Sequence, residues 1–447
     1  MLFDDIRLII VFILVRTYKM KKMIVKGGQK MVGEVTIGGA KNSTVALIPA
    51  AILADTPVTF DSVPDILDVH NLMVILKSMN VDSHFGHGIL KIDPTRIEPN
   101  PLPGDAIRSL RASYYFMGAL LGKFGHAEVG FPGGDNIGPR PIDQHIKGFE
   151  ALGAQVKKKK NSVEITTKPE GLHGARIFFD LVSVGATINV LLAAVKAKGT
   201  TIMENVAREP EIIDLATFLN NMGAHIRGAG TNEIRVEGVD HLRARNTHTI
   251  IPDRIEAGTY IAFAAANGQG VLVKNVITEH LDPFLAKLQE MGVTLEIDED
   301  SVYIPGNDQL APISIKTSPF PGFATDLQQP ITPLLMKARG KSTIADTLYP
   351  KRIKHIPEMN RMGGNIKSEE GVITVGPSEK LVGTTVEADE IRAGVSLVGL
   401  AMMSEGTTTI LKADNILRGY DRIVDKFRGL HVELKVVTMP DTVETIE

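Results

Sequence analysis

The sequence predicts an α/β protein made of six copies of one unit, grouped as two sets of three. A short phrase recurs in which an apolar helix ends in Met or Leu, Gly and a small residue. Its glycines, which are 70, 69 and 71 residues apart, are Gly153, Gly223, Gly292 and Gly363. Two further copies, with the glycine replaced, follow Met79 and Leu430, one period out on each side. A self-similar period of this kind indicates repeated supersecondary units.

Each unit reads β-α-β-α-β-β. In the third unit, residues 185–194 form a small-residue helix and 199–203 a β-branched strand. An amphipathic helix then begins at Pro210, because its apolar positions fall at helical spacing up to Leu219. A helix-terminating glycine leads into a strand pair. Six such units bury their helices together when they group in threes.

Composition excludes several classes of protein. The 447 residues allow two or three domains, and 43% hydrophobic with 23% charged residues is typical of a globular protein. There are no cysteines, which excludes disulfides, thiolate metal sites and thiol nucleophiles. A net charge of -3 and the absence of Trp argue against nucleic acid or an anionic membrane as partner. No HExxH motif occurs, and no metal site is expected.

The N-terminus carries a short apolar run. Residues 8–15 are apolar, but Arg7 and Arg16 bracket them, and eight residues are far short of the ~20 that a spanning helix needs. The flanking charges also fit a signal peptide poorly. We expect residues 1–19 to be dispensable and the natural protein to begin at Met20 or Met23.

A loop rich in glycine and proline covers residues 131–145. Such a segment is neither a regular helix nor a central strand. It carries Asp135 near its middle and Arg140 just before a predicted helix. A plain turn is the alternative interpretation, and the choice depends on whether other parts of the chain supply charges for the loop to close upon.

Several charged residues stand at helix starts. Lys41 follows two glycines, where the ammonium and the free backbone N–H groups favour an anion, although an ordinary capped helix has the same pattern. Arg111, Arg254 and Arg392 oppose the helix dipole, which indicates an anionic partner, either a ligand or a carboxylate of the chain. Asp326 has the equivalent place in the fifth unit, where it could be only a cap. A multiply charged anion in a cleft between the two sets is therefore predicted.

Taken together, the motifs resemble those of the UDP-N-acetylglucosamine 1-carboxyvinyltransferases from about Ile24 to the C-terminus. The motifs that carry the resemblance are Gly38 to Asn42, the Arg111 helix and residues 132–145, 182–187, 207–212, 251–256, 324–326, 355–358, 361–363 and 417–420. The resemblance implies an inside-out α/β barrel in two domains of three units each. We expect one domain at 41–250, containing the loop 131–145, and the other at 20–40 plus 251–447.

The family transfers the enolpyruvyl group of phosphoenolpyruvate to the 3′-hydroxyl of UDP-N-acetylglucosamine and releases phosphate. The resemblance implies this addition and elimination, the first committed step of peptidoglycan synthesis, in the cytoplasm and without cofactor or metal. Expected partners are the two small-molecule substrates, with no nucleic acid and no membrane span. The oligomeric state is left open.

The resemblance also implies catalytic roles. Asp326 matches the general base for the sugar hydroxyl. Lys41, Arg140 and Arg418 match the clamp on the phosphate and carboxylate of phosphoenolpyruvate, with Asn42 beside them. Asp135 stands where most members carry the cysteine that protonates C3 of phosphoenolpyruvate.

Binding roles follow in the same way. The residues that match UDP-sugar contacts are Arg111, Arg140, Pro141, Ile142, Asp143, Gln144, Ser183, Val184 and Leu348. Arg392 matches an arginine of the cleft, and Glu390 replaces the aspartate usual beside it. Leu181 stands where some members carry a lysine, which removes one contact to the diphosphate.

Asp135 is the departure with the largest consequence. A carboxylic acid can donate the proton if burial or hydrogen bonding raises its pKa from ~3.9. The chain is therefore expected to be active yet insensitive to fosfomycin, whose epoxide alkylates the family's cysteine thiolate. Two alternatives remain: a transferase acting on shikimate 3-phosphate, and a catalytically silent paralogue that binds UDP-sugar.

Overall fold

The computed structural model describes residues 20–99, 102, 111–131, 141–307 and 309–439, without the side chains of residues 111 and 112. The predicted extension 1–19 lies outside these residues, as do Asp135 and Arg140. Within them, no helix has the length and apolar character to cross a membrane.

The described residues form 23 strands and 13 α-helices, with short 3₁₀ turns between some of them. The strands are β1 (Lys21–Lys26), β2 (Met31–Thr36), β3 (Val58–Asp61), β4 (Asp82–Gly86), β5 (Ile89–Asp93), β6 (His126–Gly130), β7 (Ala154–Lys158), β8 (Ser162–Thr167), β9 (Arg176–Phe178), β10 (Thr200–Glu204), β11 (His225–Arg227), β12 (Glu233–Glu237), β13 (His248–Thr249), β14 (Gly268–Lys274), β15 (Glu296–Ile297), β16 (Ser301–Ile304), β17 (Ser314–Lys316), β18 (Ser342–Ala345), β19 (Asn365–Glu369), β20 (Val372–Gly376), β21 (Thr385–Glu387), β22 (Thr407–Leu411) and β23 (Leu434–Thr438). The helices are α1 (Lys41–Ala51), α2 (Leu67–Ser78), α3 (Tyr115–Phe124), α4 (Asp143–Ala151), α5 (Val184–Ala194), α6 (Pro210–Asn221), α7 (Arg254–Asn267), α8 (Asp282–Glu290), α9 (Gln328–Leu335), α10 (His355–Arg361), α11 (Ile391–Met403), α12 (Asp414–Leu417) and α13 (Ile423–Gly429).

Six small sheets repeat one plan, which confirms the six predicted units. Five described sheets have four strands, with orders β13-β3-β5-β4, β11-β12-β10-β9, β15-β16-β14-β2, β17-β18-β20-β19 and β21-β22-β1-β23. In each of the five, one edge pair is parallel and the other pairs are antiparallel, as in β9 with β10 and β12 with β11. The described part of the second unit has the antiparallel strands β6, β8 and β7.

The recurring glycine ends a helix in the left-handed conformation. Gly153, Gly223, Gly292 and Gly363 all have φ between 90° and 106°. Because a side chain is disfavoured at such angles, glycine is the usual residue at this point of a helix end. In the first and sixth units the same place is taken by Asn80 at φ 59° and His431 at φ 60°.

The chain forms two hydrophobic cores and crosses from one to the other. One core is formed by residues from Ala40 to Ile250, and the other by residues 23–37 together with 255–434. Strands β1 and β2 belong to sheets of the second core, whereas β13 closes the first unit's sheet against β3. The chain therefore crosses from one core to the other around residues 37–41 and again around 250–254.

The two crossings pair with each other. Ala40 N–H donates to Ile251 O at 2.7 Å, and Asp253 N–H donates to Gly38 O at 2.9 Å. Gly39 lies between these bonds, where a Cβ would come within 1.8 Å of Ser62 O. Only glycine lets the crossing pack this closely on the first core.

Candidate active site

Two cationic side chains from distant parts of the chain meet at Asp68. Lys41, the first residue of α1, places Nζ 3.1 Å from Asp68 Oδ2. Arg418, the residue after α12, places Nε 2.9 Å from Asp68 Oδ1. Asp68 is the second residue of α2, and its side chain has no exposed surface. We call these three residues the Asp68 cluster.

Lys41 is held at the start of its helix by the second crossing. Its backbone N–H donates to Asp253 Oδ2 at 2.9 Å. The other oxygen of Asp253 accepts from the N–H groups of Ile255 and Glu256, at 2.8 and 2.9 Å, and caps α7. One carboxylate thus satisfies free N–H groups of two helices that belong to different cores.

A second cluster is centred on Asp326. Arg352 Nη1 lies 2.7 Å from Asp326 Oδ1, and Arg392 Nη2 lies 3.3 Å from Oδ2. Arg352 Nε also lies 3.3 Å from Oε1 of Glu390, the residue before α11. Both arginines and Glu390 are buried, whereas Asp326 exposes 27% of its side chain. We call these four residues the Asp326 cluster.

The charges around Asp326 control its protonation. Burial alone would raise the pKa of Asp326, but the positive charges of Arg352 and Arg392 outweigh burial and hold that pKa well below its usual range. Asp326 is therefore an ionised carboxylate in this arrangement. Its basicity would increase if its contacts with the two arginines lengthened.

The two clusters are neighbours. The charge of Lys41 also lowers the pKa of Asp326. A Cβ on Gly419, the residue after Arg418, would lie 2.5 Å from Ile391 Cγ2 and 3.6 Å from Lys41 Cδ. The two clusters together contain four cations, from Lys41 and three arginines, and three carboxylates. The surplus of positive charge fits an anionic ligand.

Two of the arginines predicted at helix starts have carboxylate partners within the chain. Arg392 binds Asp326, and its guanidinium lies 5.2 Å from the ring centre of Tyr420. Arg254 Nε lies 3.4 Å from Glu211 Oε1. Both arginines therefore have a carboxylate partner of the chain, one of the two kinds of partner that the sequence left open.

The residues predicted to contact UDP-sugar lie mainly at the starts of α4 and α5. Gln144 is buried; its Oε1 accepts from Asp180 N–H at 2.9 Å and its Nε2 donates to Asp143 Oδ2 at 2.9 Å. Ser183 caps α5 by accepting from Ala186 N–H at 3.2 Å. These hydrogen bonds fix the two helix starts beside each other.

The other predicted residues have varied positions. Pro141 is exposed and Ile142 is buried just before α4, while Asn42 and Val184 are half-buried in the first turns of α1 and α5. Leu348 is 37% exposed on a turn whose N–H groups bind Asp346.

Arg111 begins a 3₁₀ turn, Arg111–Tyr114, and its side chain lies outside the description. In the described part of the chain, no group of three or more His, Asp or Glu side chains could hold a metal.

Comparison with known proteins decides the family. The family model described as EPSP synthase (3-phosphoshikimate 1-carboxyvinyltransferase) matches residues 25–427. A protein of Lactiplantibacillus plantarum named UDP-N-acetylglucosamine 1-carboxyvinyltransferase 2 is 64% identical over 417 residues, which are 93% of this chain and 98% of that one. The chain belongs to the UDP-N-acetylglucosamine 1-carboxyvinyltransferase family. A Streptococcus pneumoniae protein named UDP-N-acetylglucosamine 1-carboxyvinyltransferase is 53% identical over 94% of this chain and 100% of its own length.

Solved structures show the fold of this family. The enolpyruvyl transferase NikO from Streptomyces tendae aligns with a TM-score of 0.85 at 24% identity, over 94% of this chain and all of its own. An EPSP synthase from Acinetobacter baumannii aligns with a TM-score of 0.67 at 18% identity, also over 94% of this chain and all of its own. The predicted enolpyruvyl transferase fold is thereby confirmed.

Two residues of the site were not predicted from the sequence. Asp68 joins Lys41 to Arg418, and Arg352 joins Asp326 to Glu390. The only sequence signal for Asp68 is a carboxylate in the first turn of a helix with many apolar residues, which a dipole-favoured cap explains equally well. Arg352 follows Lys351 in a turn without periodicity, and no sequence signal distinguishes it.

Proposed function

We propose that this chain transfers the enolpyruvyl group of phosphoenolpyruvate to the 3′-hydroxyl of UDP-N-acetylglucosamine. Its relatives at 53–64% identity are named UDP-N-acetylglucosamine 1-carboxyvinyltransferases, which supports the proposal. The observation that supports it is the proximity of the Asp68 cluster to the Asp326 cluster, since the charge of Lys41 acts on Asp326 and Gly419 packs between Ile391 and Lys41. The first offers Lys41 and Arg418 to a phosphate and a carboxylate. The second places a carboxylate next to them for the acceptor hydroxyl.

The reaction proceeds by addition and elimination. In the addition, the 3′-oxygen bonds to C2 of phosphoenolpyruvate, the hydroxyl proton passes to Asp326, and C3 gains a proton from Asp135. In the elimination, C3 returns its proton to Asp135, the C2–O bond to phosphate breaks, the double bond forms again, and the proton held by Asp326 leaves with the phosphate. Lys41 and Arg418 bind the phosphate throughout and stabilise the charge that it carries away.

Asp326 needs a change in its surroundings to act as a base. In the arrangement described above, Arg352 and Arg392 hold it ionised with little affinity for a proton. A substrate carboxylate that bound one of these arginines would weaken its contact with Asp326 and raise the pKa of Asp326. Substrate binding would in this way prepare the base.

The loop residues complete the proposal. Asp135 supplies the acid that most members supply with cysteine, and Arg140 adds a third cation to the phosphate clamp. The substrate set further includes Asn42, Glu390 and the contacts to UDP-sugar at Arg111, Pro141, Ile142, Asp143, Gln144, Ser183, Val184 and Leu348. The reaction is assigned to the cytoplasm, as the resemblance implies.

The acceptor distinguishes this function from its nearest alternative. Relatives named for UDP-N-acetylglucosamine reach 64% identity, whereas the EPSP synthase structure reaches 18%. A silent UDP-sugar-binding paralogue is disfavoured because Lys41, Asp326 and Arg418 are all retained.

The test follows phosphate release from phosphoenolpyruvate with each acceptor in turn. Turnover with UDP-N-acetylglucosamine and none with shikimate 3-phosphate is expected. Turnover only with shikimate 3-phosphate would reverse the assignment. Tight UDP-sugar binding without phosphate release in a single-turnover experiment would identify a silent paralogue.

A further inference from the structure

A buried ammonium group lies beside the crossings between the two cores. Lys426, on α13, places Nζ 2.6 Å from Glu256 Oε1 and 3.3 Å from Asp421 Oδ2. The three side chains expose only 8%, 3% and 10% of their surface. A charge removed this far from water requires a partner, and here one buried cation serves two carboxylates. We call these residues the Lys426 triplet. Asp421 Oδ2 also lies 3.5 Å from Nε of Arg422, whose side chain is exposed.

Each carboxylate of the triplet also holds a backbone segment that leads to the Asp68 cluster. Glu256 Oε2 accepts from Gly38 N–H at 2.9 Å, in the first crossing and three residues before Lys41. Asp421 Oδ1 accepts from Asp65 N–H at 2.9 Å, just before α2 and three residues before Asp68.

Asp421 itself is three residues after Arg418. Every member of the Asp68 cluster is therefore close in sequence either to a member of the triplet or to a backbone N–H that the triplet binds. The first crossing packs directly on the same group. A Cβ on Gly38 would lie 3.2 Å from Asp421 Oδ2 and 3.4 Å from Lys426 Nζ. A change in the triplet would therefore move the backbone that precedes Lys41.

We propose that Lys426 is a positioning residue for the transfer reaction: it neutralises Glu256 and Asp421 and so sets Lys41, Asp68 and Arg418 at the spacing that binds phosphoenolpyruvate. The inference rests on the proposed function. Lys426 touches no reacting atom, and it acts through the two backbone segments that its carboxylate partners hold.

The decisive variant is Lys426→Met, which keeps the length of the side chain and removes its charge. Glu256 then loses its cation, Asp421 keeps only its pair with the exposed Arg422, and the segments at Gly38 and Asp65 shift. The KM for phosphoenolpyruvate is expected to rise at least tenfold. The Kd for UDP-N-acetylglucosamine is expected to change less than twofold, because its predicted contacts lie mainly at the starts of α4 and α5.

Two further variants separate positioning from general stability. Lys426→Arg keeps the charge and should bring the KM for phosphoenolpyruvate back to within threefold of wild type. Lys274→Met removes an ion pair of the same 2.6 Å length to Glu34, with side chains 38% and 61% exposed, and should leave both constants unchanged. If Lys426 were merely structural, Lys426→Met would have a lower Tm, but the KM of the folded variant for phosphoenolpyruvate would stay within threefold of wild type. That result overturns the proposal.

If Lys426→Met does not fold, Glu256→Gln tests the proposal in its place. Glu256→Gln keeps an acceptor for Gly38 N–H and removes the ion pair, so a rise of at least threefold in the KM for phosphoenolpyruvate is expected, and a smaller rise overturns the proposal. Failure of the proposed function is distinguishable, because wild type itself would then release no phosphate with UDP-N-acetylglucosamine.

Discussion

Replacing Asp68 by Asn tests the arrangement of the phosphate clamp most directly. Asn has the same shape and keeps an oxygen that Arg418 can donate to, but the negative charge shared by Lys41 and Arg418 is lost. The wild-type side chain is fully buried and binds these cations at 3.1 and 2.9 Å. Asp68→Asn therefore leaves two cations without their common counterion inside the protein.

The magnitude follows from the burial of the pair. Breaking a fully buried ion pair by removing one partner costs about 3–5 kcal/mol. Lys41 and Arg418 keep 11% and 12% of their side-chain surface exposed, so water recovers part of this cost. We expect a loss of about 3 kcal/mol in the free energy of unfolding. If the transition state loses a similar amount of stabilisation, kcat/KM for phosphoenolpyruvate falls about 100-fold.

Two assays measure these effects. Denaturant titration gives the free energy of unfolding, and phosphate release at varied phosphoenolpyruvate gives kcat/KM. The matched control is Asp82→Asn, which removes an Asp–Arg pair with Arg96 at 3.0 Å whose side chains are 77% and 73% exposed, and which should change neither quantity appreciably. A kcat/KM for Asp68→Asn within threefold of wild type would refute the reasoning.

The remaining predictions concern the acid and the base. Asp135→Asn should nearly abolish turnover while UDP-sugar binding, measured by calorimetry, persists; wild-type rates would remove Asp135 from the acid role. Wild type should show no time-dependent inactivation by fosfomycin, and Asp135→Cys should acquire it; inactivation of wild type would contradict the expectation. The lowered pKa of Asp326 means that its ion pairs add stability above the unfolded-state pKa of ~3.9 and lose it as the pH falls through the folded-state value. The difference in unfolding free energy between wild type and Asp326→Asn should therefore shrink from pH 7 toward pH 3, and a constant difference would show that Asp326 is not held ionised.

The repeat and much of the local structure could be predicted from the residues alone. Glycines such as Gly153 and Gly223 mark helix ends in the left-handed conformation, and this local requirement made the unit visible in the sequence. Helix α6 follows from its apolar spacing and from a proline at its start, and α5 from its run of small and apolar residues. The resemblance to a family added the identities of Lys41 and Asp326, which the residues alone marked only as charges at helix starts.

Tertiary structure decided how distant segments combine. Strands β1 and β2 complete sheets of the second core, and β13 completes one of the first, because edge pairing depends on where the chain returns and not on local propensity. Asp68 and Arg352 entered the site for the same reason. Each lies in an unremarkable local sequence, and each is buried between charges from residues 26 to 350 positions away. Such ion pairs arise from long-range packing, which neither a periodicity nor a short motif in the sequence predicts.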